Sequence, residues 1–250
     1  MSLKKQLETR KRLGVKYVRV RRAAPATKEA PKAVSIPAKR TAPAPASGTK
    51  GSPEPVWCLG NGPKADELRV FRDEIKGCLK CPLGKTRKNF VFGVGNPDAR
   101  VLFIGEAPGA DEDAQGLAFV GRAGQLLTKI IASTKTWKRE DVFIGNVLKC
   151  RPPNNRPPQP DEVERCLPYL KKQIAIIRPV LIMAMGASAA QALLSTKMAV
   201  GKLRNQWHDF EGTPLLVTYH PAALLRTDAY KRDVWEDMKR FTARYKELTG

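Results

Sequence analysis

The chain has 250 residues, 42% of them hydrophobic, enough for one sizeable domain with or without a tail. No apolar run approaches the ~18 residues a helical span needs, and the N-terminus lacks the apolar stretch of an export signal, so a cytoplasmic protein with no membrane contact is expected. A formal net charge of +21 points to a polyanionic partner, because each phosphate contact releases counterions.

The charge is uneven. Residues 1–50 hold 14 Lys and Arg against Glu8 and Glu29, a net of +12 that leaves +9 for the remainder. Residues 1–22 read as a basic, partly helical arm. A transit peptide is also Arg-rich and acid-poor, but serine is scarce here. Residues 23–56 are rich in Ala, Pro, Lys and Ser and bury too little apolar surface to offset chain entropy. Residues 1–56 are therefore expected as a disordered basic arm and linker, ahead of a catalytic domain at 57–250.

Order is expected from near Asp66, with a helix over 66–76 that aligns Leu68, Phe71 and Ile75. Strands at 100–105, 142–148, 180–185 and 215–218 then alternate with helices at 121–133, 160–177, 187–194 and 229–248. Short continuous apolar runs separated by helices signal a parallel sheet covered on both faces. The expected fold is α/β, a three-layer α/β/α sandwich around a central, mainly parallel four-stranded sheet. In such sheets ligands bind beyond the carboxyl ends of the strands. The segments 105–109, 146–151, 186–188 and 219–221 all lie there.

Five cysteines in an intracellular chain do not read as a disulfide framework. Cys78 and Cys81 form a Cys-x2-Cys pair, the usual first half of a zinc or iron–sulfur site. Cys150 and Cys166 flank the proline-rich stretch RPPNNRPPQP, so the second half is spread out. Zinc fingers generally close with a second short pair, and four well-separated thiolates fit a cubane cluster better. Structural zinc and unligated thiols remain as readings of the pattern alone. Cys58, at the linker margin, reads as a free thiol.

The rim segments are rich in chemistry. Gly105-Glu106-Ala107-Pro108-Gly109 makes a tight turn after a strand, directing Glu106 into the crevice. It is neither a dinucleotide nor a P-loop fingerprint. Asp111, Glu112 and Asp113 follow, then Phe119-Val120-Gly121-Arg122 ahead of a helix.

Three stretches, GEAPGADEDAQGLAFVGRAGQLL, NVLKCRPPNNRPPQPDEVERC and YHPAALLR, resemble the signatures of family 4 uracil-DNA glycosylases, the type that carries a 4Fe-4S cluster. The resemblance covers roughly residues 66–245. It implies a hydrolase of base-excision DNA repair that flips uracil out of DNA and cleaves the N-glycosidic bond, leaving an abasic site. It assigns Cys78, Cys81, Cys150 and Cys166 to the cluster and makes Phe119 the platform that stacks on uracil. Such a face is worth about 1–3 kcal/mol per base. Asn146 would read the uracil edge, its carboxamide offering a donor to O4 and an acceptor to N3–H. His220 would donate to O2 as negative charge develops on the leaving base. Gly105, Ala107, Pro108 and Gly109 would line the base pocket. Leu224 and Leu225 would enter the duplex as a wedge, with Arg122 and Arg226 on the DNA.

Where some uracil glycosylases hold a water-polarising aspartate, Ala107 stands here, so Glu106 or Glu112 is expected to orient water. No basic insertion with a sugar-trapping histidine is present, so turnover is expected. Blander readings exist: Phe119 as core, Asn146 capping a turn, 224–226 as a helix start. Competing functions are a redox iron–sulfur protein, an inactive DNA-binding or polymerase-accessory module, and excision of another deaminated base such as hypoxanthine. The expected protein is monomeric and nucleoid-associated, its arm contacting DNA or another repair or replication protein.

Overall fold

The computed structural model describes residues 57–250; the expected basic arm at 1–56 lies outside the described residues. In chain order the elements are α1 (Pro63–Ile75), α2 (Leu83–Thr86), β1 (Val94–Gly95), β2 (Val101–Gly105), α3 (Ala110–Gln115) and α4 (Arg122–Ser133). Next come β3 (Phe143–Asn146), α5 (Pro160–Ile177), β4 (Leu181–Met185), α6 (Ala187–Leu194) and α7 (Val200–Leu203). The chain ends with β5 (Trp207–Phe210), β6 (Thr213–Thr218), α8 (Pro221–Leu224) and α9 (Tyr230–Thr249). Two short 3-10 turns, Arg139–Asp141 and Pro153–Asn155, precede β3 and α5.

The strands form one six-stranded sheet in the order β1-β3-β2-β4-β6-β5. Its inner four strands are the parallel core read from the sequence. Two antiparallel edge strands, β1 and β5, extend it. Side chains alternate across the core strands, as the period of two requires. Leu102, Ile104, Phe143, Ile182, Leu215 and Val217 face one layer, with Phe71, Leu170, Ile174 and Leu193 from α1, α5 and α6. Val101, Phe103, Ile144, Leu181, Met183 and Leu216 face the other, with Leu127, Ile131, Met238 and Phe241 from α4 and α9. The architecture is the three-layer sandwich.

Helix α1 buries Ala65, Leu68, Phe71 and Ile75, the spacing of one helical face. Packing begins earlier than Asp66. Trp57 is buried against the Phe92 ring, and Cys58 bridges to Gly95 at the sheet edge. Cys58 is therefore part of the packed domain, not its margin. Among the described residues no helix is long and apolar enough to cross a membrane.

The topology creates a crevice. The chain leaves β2 over the α4 face to reach β3, whereas it leaves the adjacent β4 over the α6 face to reach β6. Connections that depart on opposite faces part the loops at the carboxyl ends, and ligands bind at such switch points.

Candidate active site

A cleft of about 690 Å³ opens at that switch point. The turn after β2 supplies Glu106, Ala107, Pro108 and Gly109, and β3 supplies Asn146. The loop before α4 contributes Phe119, the segment after β4 contributes Ser188, and the end of β6 contributes Tyr219 and His220. Gly105 lies behind the wall. A Cβ there would sit 2.5 Å from both the Asn146 Oδ1 and the Phe119 ring, so glycine is what lets these two approach each other.

Phe119 is buried and has a left-handed backbone, φ 54. A bulky residue in that region is strained and persists only when its surroundings hold it. Two clamps do so. Arg139 Nη2 donates to the Phe119 carbonyl at 3.0 Å and to that of Ala118 at 2.9 Å. Glu112 accepts from the backbone N–H of Val120 and Gly121, both at 2.9 Å, and from that of Gly109 at 3.1 Å. Its carboxylate therefore staples the Phe119 loop to the proline-containing turn. Glu106 differs: Ser188 Oγ donates to its Oε2 at 2.5 Å, which leaves Oε1 for the cleft.

Asn146 is 2% exposed, and its Oδ1 has no hydrogen-bond partner. A buried carbonyl left unpaired costs about 1–3 kcal/mol, so the position is built for a donor that arrives with a ligand. The backbone around it is fixed by Val147 N–H donating to Gly105 at 3.0 Å and by Lys149 Nζ donating to the Asn146 carbonyl at 2.9 Å.

His220 caps α8, its Nδ1 accepting the Ala222 N–H at 3.1 Å. With Nδ1 an acceptor, the neutral ring carries its proton on Nε2. Removal from water, helped by the Arg226 guanidinium, pushes its pKa down to about 4, so the ring is neutral at physiological pH. Its centroid lies 5.6 Å from that of Phe119. Gly186, with φ 91, passes close beneath; a Cβ there would be 3.0 Å from the His220 Cβ. Behind the strand end, buried Asp237 accepts from Arg204 Nε at 2.8 Å and from Thr218 Oγ1 at 2.7 Å, while Arg204 sits over the Tyr219 ring.

Of the proposed wedge, Leu225 is 43% exposed, but Leu224 is 2% exposed within the core beside α4. Leu224 is therefore corrected to a packing residue, because the turn of α8 points it inward. Arg226 is exposed and lines the cleft, whereas Arg122, also exposed, opens α4 outside the lining. Ser188 lay in a rim segment marked in the sequence without a role. Lys149, Arg204 and Asp237 carried no signal, since a buried ion is invisible in composition.

All five cysteines are free thiols. Among the described residues no group of three or more His, Cys, Asp or Glu is arranged to hold one metal ion. Yet Cys78 and Cys81 lie near enough to act on the Cys150 thiol, and Cys81 and Cys150 near enough to act on that of Cys166. Burial pushes the Cys150 thiol up, Arg87 pulls it down, and Cys81 and Cys78 push it up again. Burial likewise pushes Cys166 up to about 12, with Cys150 and Cys81 adding to it. Donors already point at the sulfurs: Arg87 Nη1 lies 3.2 Å from Cys150 Sγ, and Tyr169 Oη 3.2 Å from Cys78 Sγ. Four soft donors from three segments, ringed by hydrogen-bond donors, suit a group that carries negative sulfur.

The family model described as the uracil DNA glycosylase superfamily matches residues 92–239. The type-4 uracil-DNA glycosylase of Saccharolobus solfataricus is 45% identical over 183 residues, which is 70% of this chain and 85% of the relative. That of Pyrobaculum aerophilum is 45% identical over 186 residues, covering 70% of this chain and 93% of the relative. That of Thermotoga maritima is 42% identical over 177 residues, 69% and 92% of the respective lengths.

Proposed function

We propose that the chain, which belongs to the uracil DNA glycosylase superfamily, is itself a uracil-DNA glycosylase that hydrolyses the bond between uracil and deoxyribose. The observation that carries the reading is the unpaired, buried Asn146 Oδ1 in a cleft walled by an aromatic ring and a neutral imidazole. Uracil N3–H supplies the missing donor, and the carboxamide N–H in turn donates to O4. Cytosine offers an acceptor at N3 and would leave Oδ1 unpaired, a penalty that discriminates against it.

The flipped base stacks on Phe119, whose loop the Glu112 clasp holds rigid. As the glycosidic bond lengthens, negative charge builds on the base and positive charge on the sugar. His220 donates from Nε2 to O2, a fixed dipole aimed at charge that exists only in the transition state. A neutral donor suffices, and the depressed pKa keeps it neutral. Glu106, oriented by Ser188, holds the water that attacks the sugar and stabilises the cationic carbon. Glu112, occupied by three backbone amides, is the scaffold rather than the water-holding group. Leu225 and Arg226, exposed at the mouth, engage the duplex and its phosphates.

Cys78, Cys81, Cys150 and Cys166 would hold a 4Fe-4S cluster. Such a cluster would tie the segment before α2 to the loop beyond Asn146, a structural role. The protein acts as a monomer on nucleoid DNA in the cytoplasm, its basic arm adding affinity. The test is incubation with a uracil-containing oligonucleotide, then alkaline cleavage of abasic sites. Strand scission at uracil and not at cytosine is expected; an intact strand overturns the reading.

A further inference from the structure

The cleft is larger than the single base assigned to it. Its volume of about 690 Å³ lies in the range of pockets that enclose drug-sized ligands, and a lone pyrimidine ring is much smaller than those. Besides Phe119, Asn146 and His220, the cleft is lined by Tyr219, Tyr230 and Arg226, and Tyr230 has no task in the reaction as described. Tyr230 opens α9 and continues, at helical spacing, the buried stripe of Val234, Met238 and Phe241. Unlike those three it is half-buried and reaches the cleft. Its ring is stacked on that of Tyr219, with centroids 4.1 Å apart and planes 22° from parallel. Arg204 lies over the Tyr219 ring at 4.8 Å. One ring face cannot take both partners at such distances, so Tyr219 is sandwiched between them. Asp237 in turn fixes Arg204, accepting from Nε at 2.8 Å and from Nη2 at 3.1 Å, and the Asp233 carboxylate lies 2.9 Å from Nη1. The result is a pile of ion pair, ring and ring, rooted in the core and ending in the cleft at Tyr230. Among the described residues Tyr219 is the one ring stacked on Tyr230.

We propose that Tyr230 is a second stacking platform, which takes the base of the nucleotide next to the uracil while Phe119 takes the uracil itself. An unpaired base needs a π-face to lie on and a cation for its backbone. Tyr230 supplies the first, and the exposed Arg226 beside it the second. Tyr219 and the ion pair beneath it keep the platform from turning away when no DNA is bound. Every base has a π-face, so the platform accepts a purine or a pyrimidine neighbour alike. The inference rests on the glycosylase reading and adds a nucleotide to the substrate which that reading describes.

The test measures KM for three single-stranded uracil oligonucleotides, one with all bases present and two with a tetrahydrofuran abasic analogue on the 5′ or the 3′ side of the uracil. Single strands are used because a paired neighbour must first leave its partner. For the wild type, removing the neighbouring base on one side should raise KM about 5- to 150-fold, the range for loss of one base–aromatic stack. Tyr230→Leu should raise KM by a similar factor on the complete strand, and no further when that same base is removed. Tyr230→Phe keeps the ring and should keep both the wild-type KM and the sensitivity to the missing base. A wild-type KM indifferent to both neighbours overturns the proposal. So does a Tyr230→Leu penalty that is the same with and without the neighbouring base, since independent effects add. If the Leu variant does not fold, photo-cross-linking of the wild type to a strand with iodocytosine beside the uracil decides: a cross-link mapped to Tyr230 supports the platform, and one mapped elsewhere overturns it. Failure of the wild type to release uracil from the complete strand overturns the glycosylase reading instead, and the cross-link still decides for Tyr230.

Discussion

His220 offers the sharpest test of how the cleft works. Its pKa is pushed to about 4 from an ordinary 6.5, chiefly by removal from water and further by Arg226. At pH 5 a ring with the depressed value is about nine-tenths neutral, whereas an ordinary histidine is about 3% neutral. If the neutral ring is the donor, kcat/KM at pH 5 is about 30-fold higher than an ordinary histidine would allow. Single-turnover excision from pH 4 to 8 measures this, and the His220-dependent limb should fall only as pH approaches 4. Arg226→Ala should move that limb upward by a fraction of the whole shift, because burial dominates. His220→Ala should cost about 10²–10³-fold in rate, as for loss of one donor to a developing oxyanion. The same shift acts on stability with a definite sign. The unfolded chain takes the proton below about pH 6.5 while the folded ring refuses it, so stability falls as pH drops from about 6.5 to about 4. The loss is at most about 3 kcal/mol, less whatever water screens at a half-buried ring. A limb centred near pH 6.5, or His220→Ala excising at the wild-type rate, would refute the reasoning.

Asn146→Ala should lower kcat/KM by about 10- to 100-fold, yet leave the melting temperature unchanged or raised, because it removes an unpaired buried carbonyl. A lowered melting temperature with full activity would make Asn146 structural. The two carboxylates should separate by assay: Glu106→Ala slows single-turnover excision at constant stability, and Glu112→Ala destabilises by about 1–3 kcal/mol as three amides lose their acceptor. Denaturant titration beside the rate measurement checks both, and a reversed pattern counts against the assignment. Leu225→Ala should weaken duplex binding without loss of stability, while Leu224→Ala costs about 2–5 kcal/mol of folding energy. Deleting residues 1–56, which removes about half of the net charge, should spare excision but flatten the salt dependence of DNA binding; an unchanged slope denies the arm that role.

The parallel core was legible because each of its strands is a continuous apolar run between helices, a signal that survives without tertiary information. The edge strands were not. β1 has two residues, and β5 carries half-exposed polar and aromatic residues that match no strand template. The rim was legible as a set of segments, since glycine-rich turns after strands announce themselves. Roles within it were less so. Glu106 and Glu112 sit six residues apart in one acidic stretch, and only the fold reveals that one meets a hydroxyl and the other three amides. Leu224 and Leu225 are equivalent as letters; the phase of a four-residue helix buries the first and exposes the second. Lys149 was unreadable for the opposite reason, because lysine is the residue least expected to be buried.

The alignment of the strand ends also sets the width of the rim. The functional loops rise from β3, β2, β4 and β6, four neighbours separated by three intervals. At about 4.8 Å each these make a rim about 14 Å across, which matches about four nucleotides at roughly 3.4 Å per step. A DNA strand laid along that rim would meet the four loops within that span.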